Sequence, residues 1–218
     1  MKIAILQPFI PHYRKDFFLG LNAKFNADYF SFTRKKEVTK NSFKIGNIAD
    51  NYISNLSLGP FLIYNPLVLL KREYSQLVLM LHFGHISTWL LLLLKPIHKK
   101  KITLWGQGIS VKRYIKEEKK PSLLLKWMIG LADNIWFYTE KEKKQWESVF
   151  PLKNMISLGN TISGVENIVS HKSTKSKEQL KKKYSIKQER CLIFCARFNN
   201  NFRRQDLLVE IIKQFDAS

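Results

Sequence analysis

Short apolar segments alternate with amphipathic ones along this chain, and the alternation restricts its fold more than any other feature. The apolar segments are four to six residues long and are residues 2–7, 29–33, 77–81, 101–105, 134–138 and 155–158. Strands that are mostly apolar along their length are buried on both faces, as in a parallel sheet covered by helices. We therefore predict an α/β fold built on a doubly wound, Rossmann-like parallel sheet.

Helices are predicted between these strands. Helical spacing of apolar residues indicates helices over residues 14–25, 85–95, 121–132 and 140–149. Thr139 precedes the last of them and is predicted to be its N-cap. Residues 61–74 are also interpreted as a helix, kinked or split at Pro66. Residues 34–60 have a weak pattern, for which we expect short strands and loops.

The alternation breaks after residue 163. Residues 164–190 are rich in Ser, Lys and Gln and are predicted to be a basic linker and helix. Residues 191–196 then have the pattern of a buried strand, and residues 205–215 that of an amphipathic helix. We predict a Rossmann-like domain over residues 1–163 and the start of a second, incomplete domain over residues 191–218.

Candidate site residues lie in loops at the carboxyl ends of the predicted strands, where open α/β sheets bind their ligands. These residues are His12, Tyr13 and Arg14, then His82 and His85, then Gly106, Gln107 and Gly108, and finally Glu140 and Asn160. Each group also has a purely structural interpretation. The first would be a proline-stiffened turn, the histidines would be hydrogen-bonded structural residues, and Gly106 to Gly108 would be a simple turn. Glu140 would be favoured by the helix dipole, and Asn160 would be a turn residue. No GxGxxG motif follows the first strand, which speaks against a dinucleotide dehydrogenase.

Arg197 and Arg203 flank the predicted turn between the last strand and the last helix. Helix N–H groups and guanidinium forks both favour phosphate, so this segment is a candidate diphosphate site. The alternative is a plain basic surface, and Arg204 is expected to be solvated.

Charge and cysteine content narrow the classes of partner. Lys and Arg total 37 against 17 acidic residues, a formal charge of +20. This excess favours nucleic acid, phospholipid headgroups or phosphorylated small molecules, unless it reflects only a lysine-rich genome. Cys191 and Cys195 would share one side of a strand as packed thiols, and a zinc site would need more Cys or His residues nearby. We therefore predict no metal, and we expect no cofactor. The apolar run 86–94 is too short to span a bilayer, and we predict a cytoplasmic protein.

Several of these segments, in their order and spacing, resemble bacterial retaining glycosyltransferases of family four, which have the two-domain GT-B fold. The resemblance covers nearly the whole chain. It rests on Pro11-His-Tyr-Arg14, Leu104-Trp-Gly-Gln-Gly108, residues 132–140, residues 158–162, and Ala196-Arg-Phe198 with Arg203 and residues 206–208.

The resemblance implies that the first domain binds an acceptor and the second a nucleotide-sugar donor. Arg197 matches the strand-end arginine of the family and Arg203 stands in the place of its usual lysine, so both would neutralise the donor diphosphate. Gln107 stands where related enzymes often have His, which makes Gln107 and His82 the candidate catalytic residues. The implied acceptor or sugar contacts are His12, Tyr13, Arg14, His85, Gly106, Gly108, Glu140 and Asn160. The family's late pair of glutamates has no counterpart here, so we expect a fragment that is inactive alone.

The implied function is sugar transfer to a glycan or lipid-linked acceptor in the synthesis of capsule, other surface polysaccharide or lipopolysaccharide. A basic and apolar segment suits peripheral binding to the anionic inner face of the plasma membrane. Apolar residues 123–125, Trp127 and Met128 would contact the membrane, unless they pack in the core. The cations around them are Lys112, Arg113, Lys116, Lys119, Lys120 and Lys126.

Two other functions remain open from the sequence. One is a polyol-phosphate transferase of the teichoic-acid type, also on a GT-B scaffold. The other is a non-enzymatic nucleic-acid-binding protein, suggested by the charge of +20. Nucleic-acid binding is disfavoured because the lysines are scattered and the aromatic residues mostly occupy apolar positions rather than an exposed stacking platform.

Overall fold

The structure, a computed structural model, describes residues 2–33, 50–109, 121–159, 163–171, 174–189 and 205–216. Its internal contacts divide the chain into two compact units, Met1–Ser170 and His171–Ser218. The strands of the first unit are β1 (Lys2–Gln7), β2 (Asn26–Ser31), β3 (Asp50–Tyr52), β4 (Asn55–Leu58), β5 (Phe61–Tyr64), β6 (Tyr74–Met80), β7 (Lys101–Gly106), β8 (Asn134–Phe137) and β9 (Asn154–Ser157).

Seven of these strands form one sheet in the order β3-β2-β1-β6-β7-β8-β9, and every neighbouring pair is parallel. The chain starts in the middle of the sheet, winds outward to β3, and then returns to β6 on the other side of β1. This is the doubly wound, Rossmann-like sheet predicted from the sequence. The strand order reverses between β1 and β6, and such a switch point is where open α/β sheets leave a crevice for ligands.

Helices cover the sheet. In the first unit they are α1 (Lys15–Lys24), α2 (Ile86–Leu93), α3 (Lys95–His98), α4 (Leu123–Leu131), α5 (Glu140–Glu147) and α6 (Val165–Ser170), and a 3-10 turn, His12–Arg14, precedes α1. Thr139 is the N-cap of α5, as predicted: its hydroxyl accepts from the Glu142 amide, and the Glu142 carboxylate accepts from the Thr139 amide. This reciprocal pair satisfies two amide groups that a helix start leaves without partners.

Successive strand residues point to opposite faces, so the sheet has two cores. On one face Ala4 and Leu6 of β1 pack with apolar residues of α2, α4 and α5. On the other face Ile3 and Ile5 pack with Phe18 of α1. Burial on both faces explains why the strand segments are apolar at nearly every position.

The helix predicted over residues 61–74 is wrong. β4 and β5 form an antiparallel hairpin across Gly59 and Pro60, a 3-10 turn follows at Pro66–Leu70, and Tyr74 begins β6. Burial alternates along β5, and the buried Tyr64 hydroxyl lies 2.8 Å from Thr88 Oγ1 of α2. A short, continuous apolar run has neither a helical nor a strand period, so the sequence alone did not distinguish the two.

The second unit contains α7 (Lys177–Lys183) and α8 (Gln205–Asp216). Ser176 and Gln179 form a capping box at the start of α7, and three lysines occupy its last turn, where the helix dipole favours positive charge. The strand predicted over residues 191–196 lies outside the described residues. Within the described ranges, no helix combines the length and the apolar character needed to cross a bilayer.

A candidate ligand site at the carboxyl edge of the sheet

A pocket of about 100 Å³ lies at the carboxyl edge of the sheet, where the strand order reverses. It is closed by the segment that follows β1 and by the ends of β6, β7 and β8. Its lining residues are Gln7, Pro8, Phe9, Pro11, Tyr13, Arg14, Phe18, Met80, Trp105 and Tyr138. A pocket of this size holds one small group of a ligand rather than a whole nucleotide sugar.

Strand register brings the polar lining together. Ile5 pairs with Val78 across β1 and β6, and Met80 pairs with Trp105 across β6 and β7. Ile5, Val78 and Trp105 belong to the core under α1. Gln7 and Met80 come two residues after Ile5 and Val78, so they face the same way. Each strand therefore ends with a side chain at the floor or wall of the pocket.

The 3-10 turn presents Arg14 to this pocket. The Arg14 amide donates to the Pro11 carbonyl at 3.0 Å, and the Tyr13 carbonyl accepts from the Ser163 amide at 2.6 Å. The Arg14 guanidinium lies 4.5 Å from the ring centroid of Tyr138 and 5.4 Å from that of Trp105, which are cation–π distances. A cation on a hydrogen-bonded turn thus lies beside the aromatic wall.

Two opposing effects act on the pKa of the Tyr138 phenol. Burial raises its pKa above the ordinary value, and the positive charge of Arg14 together with its hydrogen bond partly offsets that rise. Tyr138 is therefore a neutral phenol at neutral pH, able to donate or accept a hydrogen bond.

Two buried donors in the lining have no hydrogen-bond partner among the described residues. They are Gln7 Nε2 and Trp105 Nε1, and their side chains are 6% and 1% exposed. An unsatisfied buried donor costs about 1–3 kcal/mol, so such groups are rare outside sites that use them. The lining therefore carries the Arg14 guanidinium, and the two N–H groups that no described residue satisfies lie buried in its side chains.

The predicted histidines lie elsewhere, in the loop after β6, and neither lines this pocket. His85 is buried beneath His82, with ring centroids 4.9 Å apart, and contacts Phe32 edge-on. Burial, with a smaller contribution from His82, lowers the pKa of His85 to about 4. Burial also lowers the pKa of His82, whose Nδ1 accepts from the Gly84 amide at 3.1 Å. Both rings are neutral at neutral pH.

The glycines after β7 have packing roles. A Cβ on Gly106 would lie 2.8 Å from the Cβ of Leu81, and one on Gly108 would lie 2.5 Å from Nε1 of Trp146. Gly108 also has φ of +67° and accepts a hydrogen bond from that indole at 3.0 Å. Gln107, between them, is exposed and does not line the pocket.

The other candidate residues are dispersed. Glu140 is exposed in the first turn of α5, where its carboxylate pairs with Lys143 at 3.2 Å. His12 begins the 3-10 turn. Asn160, Arg197 and Arg203 lie outside the described residues. No group of three or more His, Cys, Asp or Glu residues with metal-binding geometry occurs in the described part of the chain.

Sequence reasoning placed Tyr13 and Arg14 in the site but missed Gln7, Met80, Trp105 and Tyr138. A usable signal existed. Each missed residue is the last side chain on the α1 face of its strand or the first residue beyond the strand. A polar or aromatic residue stands at that position on β1, β7 and β8, three of the four neighbouring parallel strands, and this repetition indicates a site at that edge.

Fold and pocket together define an open, doubly wound α/β domain with a small donor-rich site at its switch point. No family model and no curated protein matches the chain. A solved structure of similar fold is a Listeria monocytogenes crystal structure described as a UDP-N-acetylglucosamine 2-epimerase, 11% identical with a TM-score of 0.48. The match covers 69% of this chain and 42% of that protein's. At this distance the likeness carries no argument about activity.

Proposed function

We propose that the chain is the acceptor-binding part of a glycosyltransferase that uses a nucleotide sugar and belongs to surface-polysaccharide or lipopolysaccharide synthesis. The observation that carries the proposal is the pocket at the switch point, with Tyr13 and Arg14 beside Trp105 and Tyr138. Aromatic faces and hydrogen-bond donors are the groups that hold a sugar or a glycan-bearing acceptor. The resemblance in sequence to family four supports the same function.

The remaining roles follow the resemblance. Arg197 and Arg203 are proposed to bind the donor diphosphate and to stabilise the charge that develops as it leaves. Gln107 and His82 are proposed as polar contacts to the reacting sugar. His82 is exposed, and its Nδ1 accepts from the Gly84 amide, so the neutral ring carries its proton on Nε2 and can donate a hydrogen bond to a sugar oxygen.

The test is release of nucleoside diphosphate by the full gene product that contains this chain. A panel of nucleotide sugars is offered with glycan and lipid-linked acceptors. We expect release that depends on an acceptor, and loss of donor affinity in Arg197→Ala and Arg203→Ala but not in the control Arg204→Ala. Normal donor affinity and turnover in both variants would contradict the diphosphate assignment. Absence of acceptor-dependent release across the panel would contradict the function.

We also propose that the protein docks on an anionic membrane through a groove between α2 and α4. The groove measures about 790 Å³ and is almost entirely apolar. Trp127 and Leu93 are 65% and 61% exposed on its rim, and Leu124 is half exposed. Lys126 also lines the groove, and the chain carries a charge of +20. Exposed Trp and Leu beside Lys is the pattern of interfacial helices that bind anionic lipid.

Vesicle co-sedimentation tests this docking. We expect binding to vesicles that contain phosphatidylglycerol, weaker binding in high salt, and about tenfold weaker binding for Leu124→Gln with Trp127→Gln. Leu56→Gln with Leu58→Gln is the matched control, because both leucines are exposed on the β4–β5 hairpin. Two results would contradict the proposal: equal binding by the two double variants, and binding of the unmodified protein to neutral vesicles that is as strong as its binding to vesicles with phosphatidylglycerol.

A further inference from the structure

We infer that residues 163–164 form a tertiary cap on α1, and that this cap fixes the position of the ligand-site turn, Tyr13 and Arg14. Ser163 and Asp16 are positioning residues in the cap. Neither lines the pocket, so each acts on it through the turn. That the turn contacts an acceptor rests on the proposed function. The cap itself rests on three hydrogen bonds and on the inability of Arg14 to cap the helix.

The sequence at the start of α1 provides no local cap. Amide groups in the first turn of a helix have no carbonyl partner within the helix, and a side-chain oxygen at the N-cap position normally accepts from one of them. The N-cap residue is Arg14, whose guanidinium can only donate, and in the described helix it makes no capping bond. Its guanidinium lies instead over the rings of Tyr138 and Trp105. An intramolecular acceptor for the start of α1 therefore has to come from another part of the chain.

Residues 163–164 supply this acceptor from 147 positions along the chain. The Asp16 amide donates to Ser163 Oγ at 3.0 Å. The Asp16 carboxylate accepts from the Gly164 amide at 3.3 Å, and the Tyr13 carbonyl accepts from the Ser163 amide at 2.6 Å. Two consecutive residues thus hold both the ligand-site turn and the first turn of α1. The exchange of bonds resembles a capping box that is assembled between distant segments.

The cap lies where it can open without unfolding the domain. Asp16 is exposed and Ser163 is half-buried, so solvent reaches the bonds between them. Hydrogen bonds of this kind belong to the least stable parts of a fold, which open locally. In the closed state Arg14 is held against the aromatic wall. In the open state the turn loses its bond to Ser163, and α1 loses its cap.

The cap connects the ligand-site turn to the end of the first unit. Residues 163–164 lead directly into α6, which ends at Ser170, the last residue of that unit. Displacement of α6 would therefore act on the pocket through the bonds that Ser163 makes to Tyr13 and Asp16. Conversely, a ligand that fixes the turn favours the closed cap, because coupling of this kind is reciprocal. Occupancy of the site and the position of α6 are thus linked.

The ¹⁵N-labelled 218-residue chain tests the cap through its five tryptophan indole resonances. Trp105 reports the position of the turn, because the Arg14 guanidinium lies 5.4 Å from its ring. Its signal is identified by its absence in Trp105→Phe. Trp146 reports the rest of the fold, since its indole donates to the Gly108 carbonyl.

Three variants change one serine each. Ser163→Ala removes the acceptor oxygen of the cap, and Ser163→Thr keeps a hydroxyl at the same position. Ser176→Ala is the matched control, because Ser176 Oγ accepts from the Gln179 amide at 3.2 Å in the capping box of α7. The control therefore loses the same kind of bond at a different helix.

We expect Ser163→Ala to move the Trp105 resonance and to leave Trp146 in place. Hydrogen exchange at the Asp16 amide should become about fivefold faster, which is the factor that one lost hydrogen bond represents. Ser163→Thr should resemble the parent in both measurements. Ser176→Ala should change neither Trp105 nor the Asp16 amide.

A double-mutant cycle separates positioning of the turn from a general loss of packing. If the cap acts on Trp105 through Arg14, Ser163→Ala should move that resonance much less in an Arg14→Met background than in the parent. An equal shift in both backgrounds would overturn the inference. An unmoved Trp105 resonance in Ser163→Ala, or a shift of the same size in Ser176→Ala, would overturn it as well.

The full gene product separates the cap from the proposed function. Under that function, Ser163→Ala should raise the KM of the acceptor found in the panel about fivefold and leave donor affinity unchanged. An unchanged acceptor KM together with a moved Trp105 resonance would keep the cap and reject the role of the turn in acceptor binding. Absence of acceptor-dependent nucleoside diphosphate release in the parent would reject the proposed function, and the Trp105 measurements would still decide the cap.

Discussion

Gly108 offers a direct test of how the loop after β7 is built. Its φ of +67° lies in the left-handed region, and a Cβ there would lie 2.5 Å from Trp146 Nε1 and 2.7 Å from Phe137 Cε1. Two separate penalties therefore apply to Gly108→Ala. The left-handed backbone costs a non-glycine residue about 1–2 kcal/mol, and forcing a methyl group into a filled core costs about 1–3 kcal/mol. We expect a total loss of about 2–5 kcal/mol in the free energy of unfolding.

Two other glycines separate these penalties. Gly59 has φ of +57° with nothing within 4 Å of a built Cβ, so Gly59→Ala carries only the backbone penalty. Gly20 lies in α1, where a Cβ also meets nothing, and Gly20→Ala should stabilise the helix by about 1 kcal/mol. The difference between the Gly108 and Gly59 variants then measures the packing penalty.

The assay is thermal unfolding followed by circular dichroism, with urea titration as a second measure. For a unit of this size 1 kcal/mol shifts the melting temperature by about 2–4 °C. A packing penalty of about 2 kcal/mol therefore predicts that Gly108→Ala melts about 6 °C below Gly59→Ala. If the two variants melt within about 1 °C of each other, the packing of this loop on Trp146 and Phe137 is wrong. Gln107→Ala should melt like the parent, because Gln107 is exposed.

Three further predictions concern buried or capping groups. Since burial lowers the pKa of His85 to about 4, the unfolded chain gains a proton first as pH falls below about 6.5. The contribution of His85 to the free energy of unfolding is complete above that pH and should decline by about 3 kcal/mol toward pH 4. Urea titrations at a series of pH values measure this decline, and His85→Leu should remove it. Lys100 Nζ donates to the carbonyls of Lys71 and Tyr74, so Lys100→Met should cost about 2–3 kcal/mol in urea unfolding, whereas the exposed Lys101→Met should cost almost nothing. Thr139→Ala removes the α5 cap and should cost about 1 kcal/mol, measured by the same unfolding titration.

The parts of the fold that sequence reasoning predicted are those governed by local pattern. The central strands are buried on both faces, so their apolar runs are visible without any knowledge of their neighbours. Thr139 caps α5 through a contact three residues away, which a sequence shows directly. Tyr13 and Arg14 were placed at the ligand edge because they follow the first strand.

The parts that it missed depend on distant segments. The run 61–64 is a strand because it pairs with β4 and because Tyr64 bonds to Thr88 of α2. The glycines after β7 were predicted to contact a ligand. In the structure, Gly108 instead lies so close to Trp146 of α5 that there is no space for a side chain. These partners lie tens of residues apart in the sequence, so the spacing of apolar residues within one segment does not indicate them.

The sequence by itself therefore determined the class of fold: its alternating apolar segments indicate a parallel sheet covered on both faces, because that arrangement removes most side chains of the central strands from water. Only the tertiary structure decided the character of the site. Gln7 lies on β1, Trp105 lies on β7 and Tyr138 directly follows β8, and the register between these strands brings the three residues around Arg14. Whether a buried donor finds a partner depends on everything folded around it, so only the folded molecule shows that the Trp105 indole has none among the described residues.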